Sequence, residues 1–137
     1  MKIRFLISTM VCTLVCTTDA ALAQVQVNNL PEPSPCEKSC IEKLHSDSTV
    51  SVFVAWVEKE IPLHYHASHT ETVYVLEGEG TMELGDSTFA IHPGQVLVMI
   101  PGTHHAVKKT GDTPLKAISV FSPGLITPDR ILVEPKK

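Results

Sequence analysis

Apolar positions from residue 50 onward come in short runs split by turn residues, not at helical spacing. Residues 51–57, Ser-Val-Phe-Val-Ala-Trp-Val, are β-branched and aromatic and apolar on both faces, as expected of a strand covered on both sides. Residues 71–77 predict a second strand with Tyr74 and Val75 at its middle. Gly78 and Gly80 permit a bend before 81–84, and Gly85-Asp86 is a hairpin signal leading back through 87–91. Pro93-Gly94 turns into the apolar run 95–100, and Pro101-Gly102 ends it. Residues 103–109 and 115–121 predict two further strands, separated by Gly111-Asp112. The tail after Ser122, with Pro123 and Pro128, reads as a final edge segment. Strands of this length at regular intervals predict an all-β sandwich or barrel, and a jelly roll is one such solution.

The texture upstream is different. Met1 to Arg4 carry two positive charges, residues 5–16 are a short apolar run, and Ala21-Leu22-Ala23 fits a small-x-small cleavage site. Residues 1–23 are therefore expected to be a cleaved signal peptide, with a periplasmic or secreted mature protein. Twelve apolar residues fall short of the roughly 20 that span a bilayer, so no membrane span is expected. Residues 24–47 read as a lead-in, with an edge strand at 25–27 and one or two helical turns at 36–44, where Glu37, Lys38, Glu42 and Lys43 favour helix. Residues 48–137 are then the barrel domain.

Composition narrows the partners. Taking Lys2, Arg4 and Asp19 from the eleven basic and fifteen acidic residues leaves nine against fourteen, a net charge of −5. That balance, without a basic patch, argues against nucleic acid. Cys12 and Cys16 fall in the signal, so the mature chain keeps Cys36 and Cys40, as a short-range disulfide or two free thiols, with a thiol redox pair or a soft-metal site as the alternative.

Seven histidines occur, six of them between positions 64 and 105. On a strand, His64 and His66 share a face. If Glu71 points inward, so do Val73 and Val75, as a filled interior needs. His105 follows a Pro-Gly turn with Val107 on its face. Three imidazoles and a carboxylate could thus converge on one divalent transition metal (Fe, Mn, Ni, Cu or Zn), leaving open positions on an octahedral ion. His69 reads as solvated at the barrel mouth, His104 and Tyr65 as facing away from the ligands, and His92 and His45 as surface residues. Glu77 reads as a solvated strand end. Val73, Val75, Val96, Val98 and Val107 are expected to line an apolar interior.

The spacing His64-Tyr65-His66, four residues, Glu71, six residues, Gly78 resembles the first motif of the cupin superfamily. Gly94 through Ile100-Pro101-Gly102-Thr103-His104-His105 resembles the second, with His105 at the metal-ligand position. Ile100 stands where the second motif usually opens on proline, Lys109 where asparagine is frequent, and no glycine precedes His64 in the usual place. The resemblance implies a single-domain cupin jelly-roll barrel, often a homodimer, a role that the outward Tyr74 and Leu76 also suit. It implies a metal held by His64, His66, Glu71 and His105. It leaves the activity open between a metal-dependent dioxygenase, decarboxylase, isomerase or lyase on a small organic substrate and a non-catalytic metal- or ligand-binding module. For an enzyme, Glu71 is the candidate base, with Glu77 or His69 as substitutes.

Overall fold

β-Branched runs closed by Gly and Pro turns become ten strands among the described residues. A computed structural model describes residues 25–134; the expected signal peptide lies outside them. The strands are β1 (Ser39–Ser46), β2 (Ser51–Val57), β3 (Glu60–His66), β4 (Thr70–Glu77), β5 (Gly80–Leu84), β6 (Ser87–Ile91), β7 (Val96–Met99), β8 (His105–Lys109), β9 (Leu115–Ser122) and β10 (Arg130–Leu132). They form two five-stranded sheets, in the orders β1-β2-β9-β4-β7 and β10-β3-β8-β5-β6. Every pairing is antiparallel. The final edge segment expected after Ser122 is β10, which pairs with β3. Among the described residues no helix is long and apolar enough to cross a membrane.

The two sheets face each other over a core of Val57, Val75, Met82, Ile91, Leu97, Met99 and Leu115. Alternation along each strand decides which side chains enter it. In β4 the expected phase holds, and Val73 and Val75 point inward with Glu71. In β7 it is reversed. Leu97 and Met99 are buried, while Val96 and Val98 are 59% and 52% exposed on the outer face. An unbroken apolar run carries no polar position to fix its phase, so either assignment suits the sequence.

The lead-in also departs from expectation. Residues 36–44 form no helix; from Ser39 onward they are β1, paired to β2 from Ser39 opposite Val57 to Ser46 opposite Ser51. The ladder offered by β2 outweighs the modest helix propensity of the glutamates and lysines. Cys36 and Cys40 form a disulfide with Cα atoms 5.7 Å apart, so the chain doubles back just before β1. In place of a strand at 25–27 there is one 3₁₀ turn, Val27–Asn29.

Lys116 ties this lead-in to the barrel. Its side chain is buried on the outer face of β9, opposite Trp56 on β2. The ammonium donates to the carbonyls of Leu30 at 3.1 Å and Asn28 at 3.5 Å. It lies 3.7 Å from the Glu77 carboxylate and 5.6 Å from the centre of the Trp56 ring. A buried ammonium is tolerated only with such partners. The lead-in therefore covers the outward side of the first sheet, where Val54 and Trp56 are almost completely enclosed.

Gly78 shows how tightly the β4–β5 connection passes the barrel. Its φ is +76°, and a Cβ there would sit 2.4 Å from the carbonyl oxygen of Pro114. Only glycine satisfies both demands.

Candidate metal centre

Pro62 is where the site begins. It has no N–H for the ladder, and the pairing of β3 with β8 shifts register between Ile61 and His64. Ile61 sits opposite Val107 and His64 opposite His105, so three steps on β3 match two on β8. One extra residue reverses the alternation of all that follows. Ile61 and both His64 and His66 can therefore face the interior, and all three line it.

The other ligand candidates arrive from different elements. His105 opens β8 after the Pro101-Gly102 turn, beside His64 with ring centres 4.1 Å apart. Glu71 comes from β4 in the opposite sheet, between Met99 and Phe121 on its two neighbouring strands. The site thus bridges the two sheets. His64, His66, Glu71 and His105 each present one donor atom, and these atoms lie within 4.8 Å of one another. The three imidazoles are about 95% buried.

The hydrogen bonds fix which atoms face inward. The Nδ1–H of His64 donates to the Pro62 carbonyl at 2.7 Å, and that of His105 to the Thr103 carbonyl at 2.8 Å. Both acceptors lie two residues upstream of the histidine they hold, Pro62 on β3 and Thr103 in the turn before β8. Each Nε2 is thereby left as a lone pair aimed at the cluster. His66 is held differently, with its ring edge-on to Phe121 at 4.9 Å and neither ring nitrogen hydrogen-bonded. Its Nε2 lies 3.3 Å from Glu71 Oε2, outside hydrogen-bonding geometry, and His105 Nε2 lies 3.1 Å from the same oxygen. Ser119 on β9 donates its hydroxyl to Glu71 Oε1.

Four buried acceptors facing one point need a cation between them, either protons or a metal ion. The electrostatics favour a metal. Burial holds the His64 pKa down at about 4, helped by the nearby His105, so its imidazole stays neutral and available as a ligand. Burial alone would raise the Glu71 carboxyl pKa. With a proton on the facing Nε2 of His105 or His66, those imidazoles and the Ser119 hydroxyl outweigh it and hold the group ionised, well below the usual carboxylate range. Neutral imidazoles with one carboxylate are a donor set for a first-row divalent ion, and the unpartnered nitrogens of His66 fit that reading.

The cluster forms part of the lining of a cavity of about 230 Å³. Its walls are mainly apolar, with Phe53, Val73, Val75, Met82, Met99 and Phe121 prominent. Arg130 on β10 also lines it, across the ladder from His66.

The remaining histidines fall outside this cluster. His104 is exposed and stacks on Tyr65 at 5.2 Å, both turned away from the ligands as alternation requires. His92 is exposed, and His45 pairs with Asp47 on the surface. Glu77 is a half-exposed strand end beside Lys116. His69 is not solvated as expected: it is only 8% exposed and its Nδ1 bonds to Asp129. The same carboxylate accepts the backbone N–H groups of Ala67 and Ser68. It fastens the loop between His66 and Glu71 to the C-terminal tail. Asp129 lies 60 residues downstream, and no local pattern links it to His69. Ser119 and Arg130 carry no sequence signal for the same reason, since only distant neighbours bring them to the site.

Comparison with known proteins agrees with this architecture. Residues 51–121 match the family model of the cupin domain. The chain is 29% identical to an uncharacterized protein of Methanocaldococcus jannaschii, over 68% of this chain and 79% of that protein. It is 32% identical to germin-like protein subfamily 2 member 2 of Arabidopsis thaliana, over 75% of this chain, and spans about half (51%) of that relative. A stretch covering 47% of the chain is 37% identical to 19% of quercetin 2,3-dioxygenase of Bacillus subtilis. Among solved structures, a double-stranded β-helix protein of Klebsiella pneumoniae superposes with a TM-score of 0.71 at 23% identity, covering 82% of this chain and 97% of that one. Two facing antiparallel sheets, an inward three-histidine, one-glutamate cluster and the matched family model together place this chain in the cupin family.

Proposed function

We propose that this protein is a metal-dependent enzyme acting on a small organic substrate, of dioxygenase, decarboxylase, isomerase or lyase type. The observation that carries this reading is the cluster of four inward donor atoms in the wall of an apolar cavity. His64, His66, Glu71 and His105 would hold one divalent ion. When bound, such an ion supplies Lewis-acid or dioxygen chemistry at positions the protein leaves open.

The chain's own residues do the rest. The carbonyls of Pro62 and Thr103 orient two imidazoles. Ser119 occupies one oxygen of Glu71, so the other is directed at the cluster. Glu71 is the candidate base, because it alone among the cavity-lining residues is a carboxylate. The apolar walls offer a substrate's carbon body a surface to pack against. Neither Glu77 nor His69 lines the cavity, which removes both as substitutes for that role.

That shortage of bases favours one alternative, a non-catalytic module binding metal and a small ligand. Dioxygen uptake and product formation by the metal-loaded protein, over a panel of small organic acids, phenols and sugars, separate the two. Turnover abolished by a chelator and restored by metal supports the enzyme. Tight metal binding without turnover across the panel supports the module.

Export and self-association belong to the same proposal. The composition of residues 1–23 supports export, and a disulfide between Cys36 and Cys40 suits an oxidising compartment. The exposed Tyr74, Val96, Val98 and Ile100 support a homodimer.

A further inference from the structure

We infer that Arg130 is a substrate-recognition residue, and that the ligand of this cavity is a small carboxylate with an apolar body. The inference rests on the metal reading above and deepens it.

Arg130 is the only lysine or arginine that lines the cavity. β10 sets it directly across from the metal-ligand candidate His66. Its guanidinium makes no hydrogen bond or ion pair with any described residue. The adjacent acid, Asp129, is already taken up by His69 and two backbone N–H groups. Arg130 is an exposed residue of β10, so its guanidinium reaches the cavity from the solvent side, partly desolvated there and within the attraction of Glu71.

Charge balance identifies what is missing. A divalent ion and the Glu71 carboxylate leave one surplus positive charge in an apolar chamber, with the Arg130 guanidinium at its solvent-exposed side. No second acid lines that chamber. Uncompensated charge in such surroundings is costly, and an anionic ligand relieves it. A guanidinium presents paired donors matched to the two oxygens of a carboxylate. The apolar walls opposite suit an aliphatic or aromatic body, and about 230 Å³ limits it to a few carbon atoms or a single ring.

The experiment titrates sodium butyrate and its neutral isostere butyramide into cobalt(II)-loaded protein, followed by calorimetry after metal analysis. Arg130→Gln and Arg130→Lys are measured beside the wild type. Arg130→Gln is expected to weaken butyrate binding at least about tenfold, the loss of a charge-assisted pair. Its cobalt content and its butyramide binding should be unchanged, and Arg130→Lys should fall between the two. Equal butyrate affinity in Arg130→Gln and wild type, with cobalt fully bound, overturns the role of Arg130 alone. Failure of the wild type to take up cobalt overturns the metal reading, and this inference with it.

Discussion

Single side chains divide the metal centre into parts that the sequence displays and parts that it hides. The candidate ligands are visible because a strand's two-residue period and the motif spacing both select His64, His66, Glu71 and His105. Their supports are not. Ser119 lies 48 residues from Glu71, and a serine in a strand carries no mark of its partner. Ser119→Ala should remove the hydroxyl that steadies the carboxylate and weaken metal binding by about 10- to 100-fold, read by competition with a chelator. Unchanged affinity would assign Ser119 to packing. The depressed pKa of His64 sets a pH dependence for the metal-free protein. The unfolded chain takes up a proton near 6.5, whereas the folded chain refuses it until about 4. Stability from this group is therefore fully present above 6.5, declines between 6.5 and about 4, and then levels off. Urea midpoints of the metal-free wild type and of His64→Gln should diverge in that window, with only the wild type showing this component.

Elements carry the second set of lessons. The strand at 51–57 is found where its β-branched run places it, and 87–91 likewise. β1 escapes because its sequence favours helix locally, and only the partner strand makes it β. The phase of β7 escapes because nothing polar marks its faces. The loop joining β3 to β4 shows an element held from a distance, through Asp129. Burial would raise that carboxyl's pKa, but the bonds from His69, Ser68 and Ala67 bring it down to about 2, from 3.8. Its contribution is present above 3.8 and is lost as pH falls through about 2. Asp129→Asn should lose about 1–3 kcal/mol of stability at neutral pH, measured by urea unfolding. A change within a few tenths would show that the loop stands without it. At the β4–β5 connection, Gly78→Ala should cost at least about 2 kcal/mol, from the left-handed backbone and the contact with Pro114 together.

At the scale of the whole molecule, two sheets meet so that one supplies three imidazoles and the other the carboxylate. The site therefore reports on the docking of the sheets, and a bound ion would fasten them together. Ligand binding to the folded state alone raises apparent stability. Loading with a divalent metal should thus raise the melting temperature of the wild type, while His105→Ala should gain much less. The arrangement was legible as a family pattern because two motifs at the right interval define it. The lead-in strapped over Trp56 by Lys116 was not legible, since that contact joins segments 86 residues apart. The outer face beyond that strap exposes Tyr74, Val96 and Val98, and light scattering at micromolar concentration should give twice the monomer mass. A monomer mass would refute the dimer without touching the site.

The central claim is that His64, His66, Glu71 and His105 hold one metal ion. Elemental analysis of purified protein, wild type beside His64→Ala and His105→Ala, tests it most directly, with circular dichroism confirming that each variant keeps its strands. We expect close to one divalent ion per chain in the wild type and a strong loss in both folded variants. A full metal content in both variants would contradict the claim.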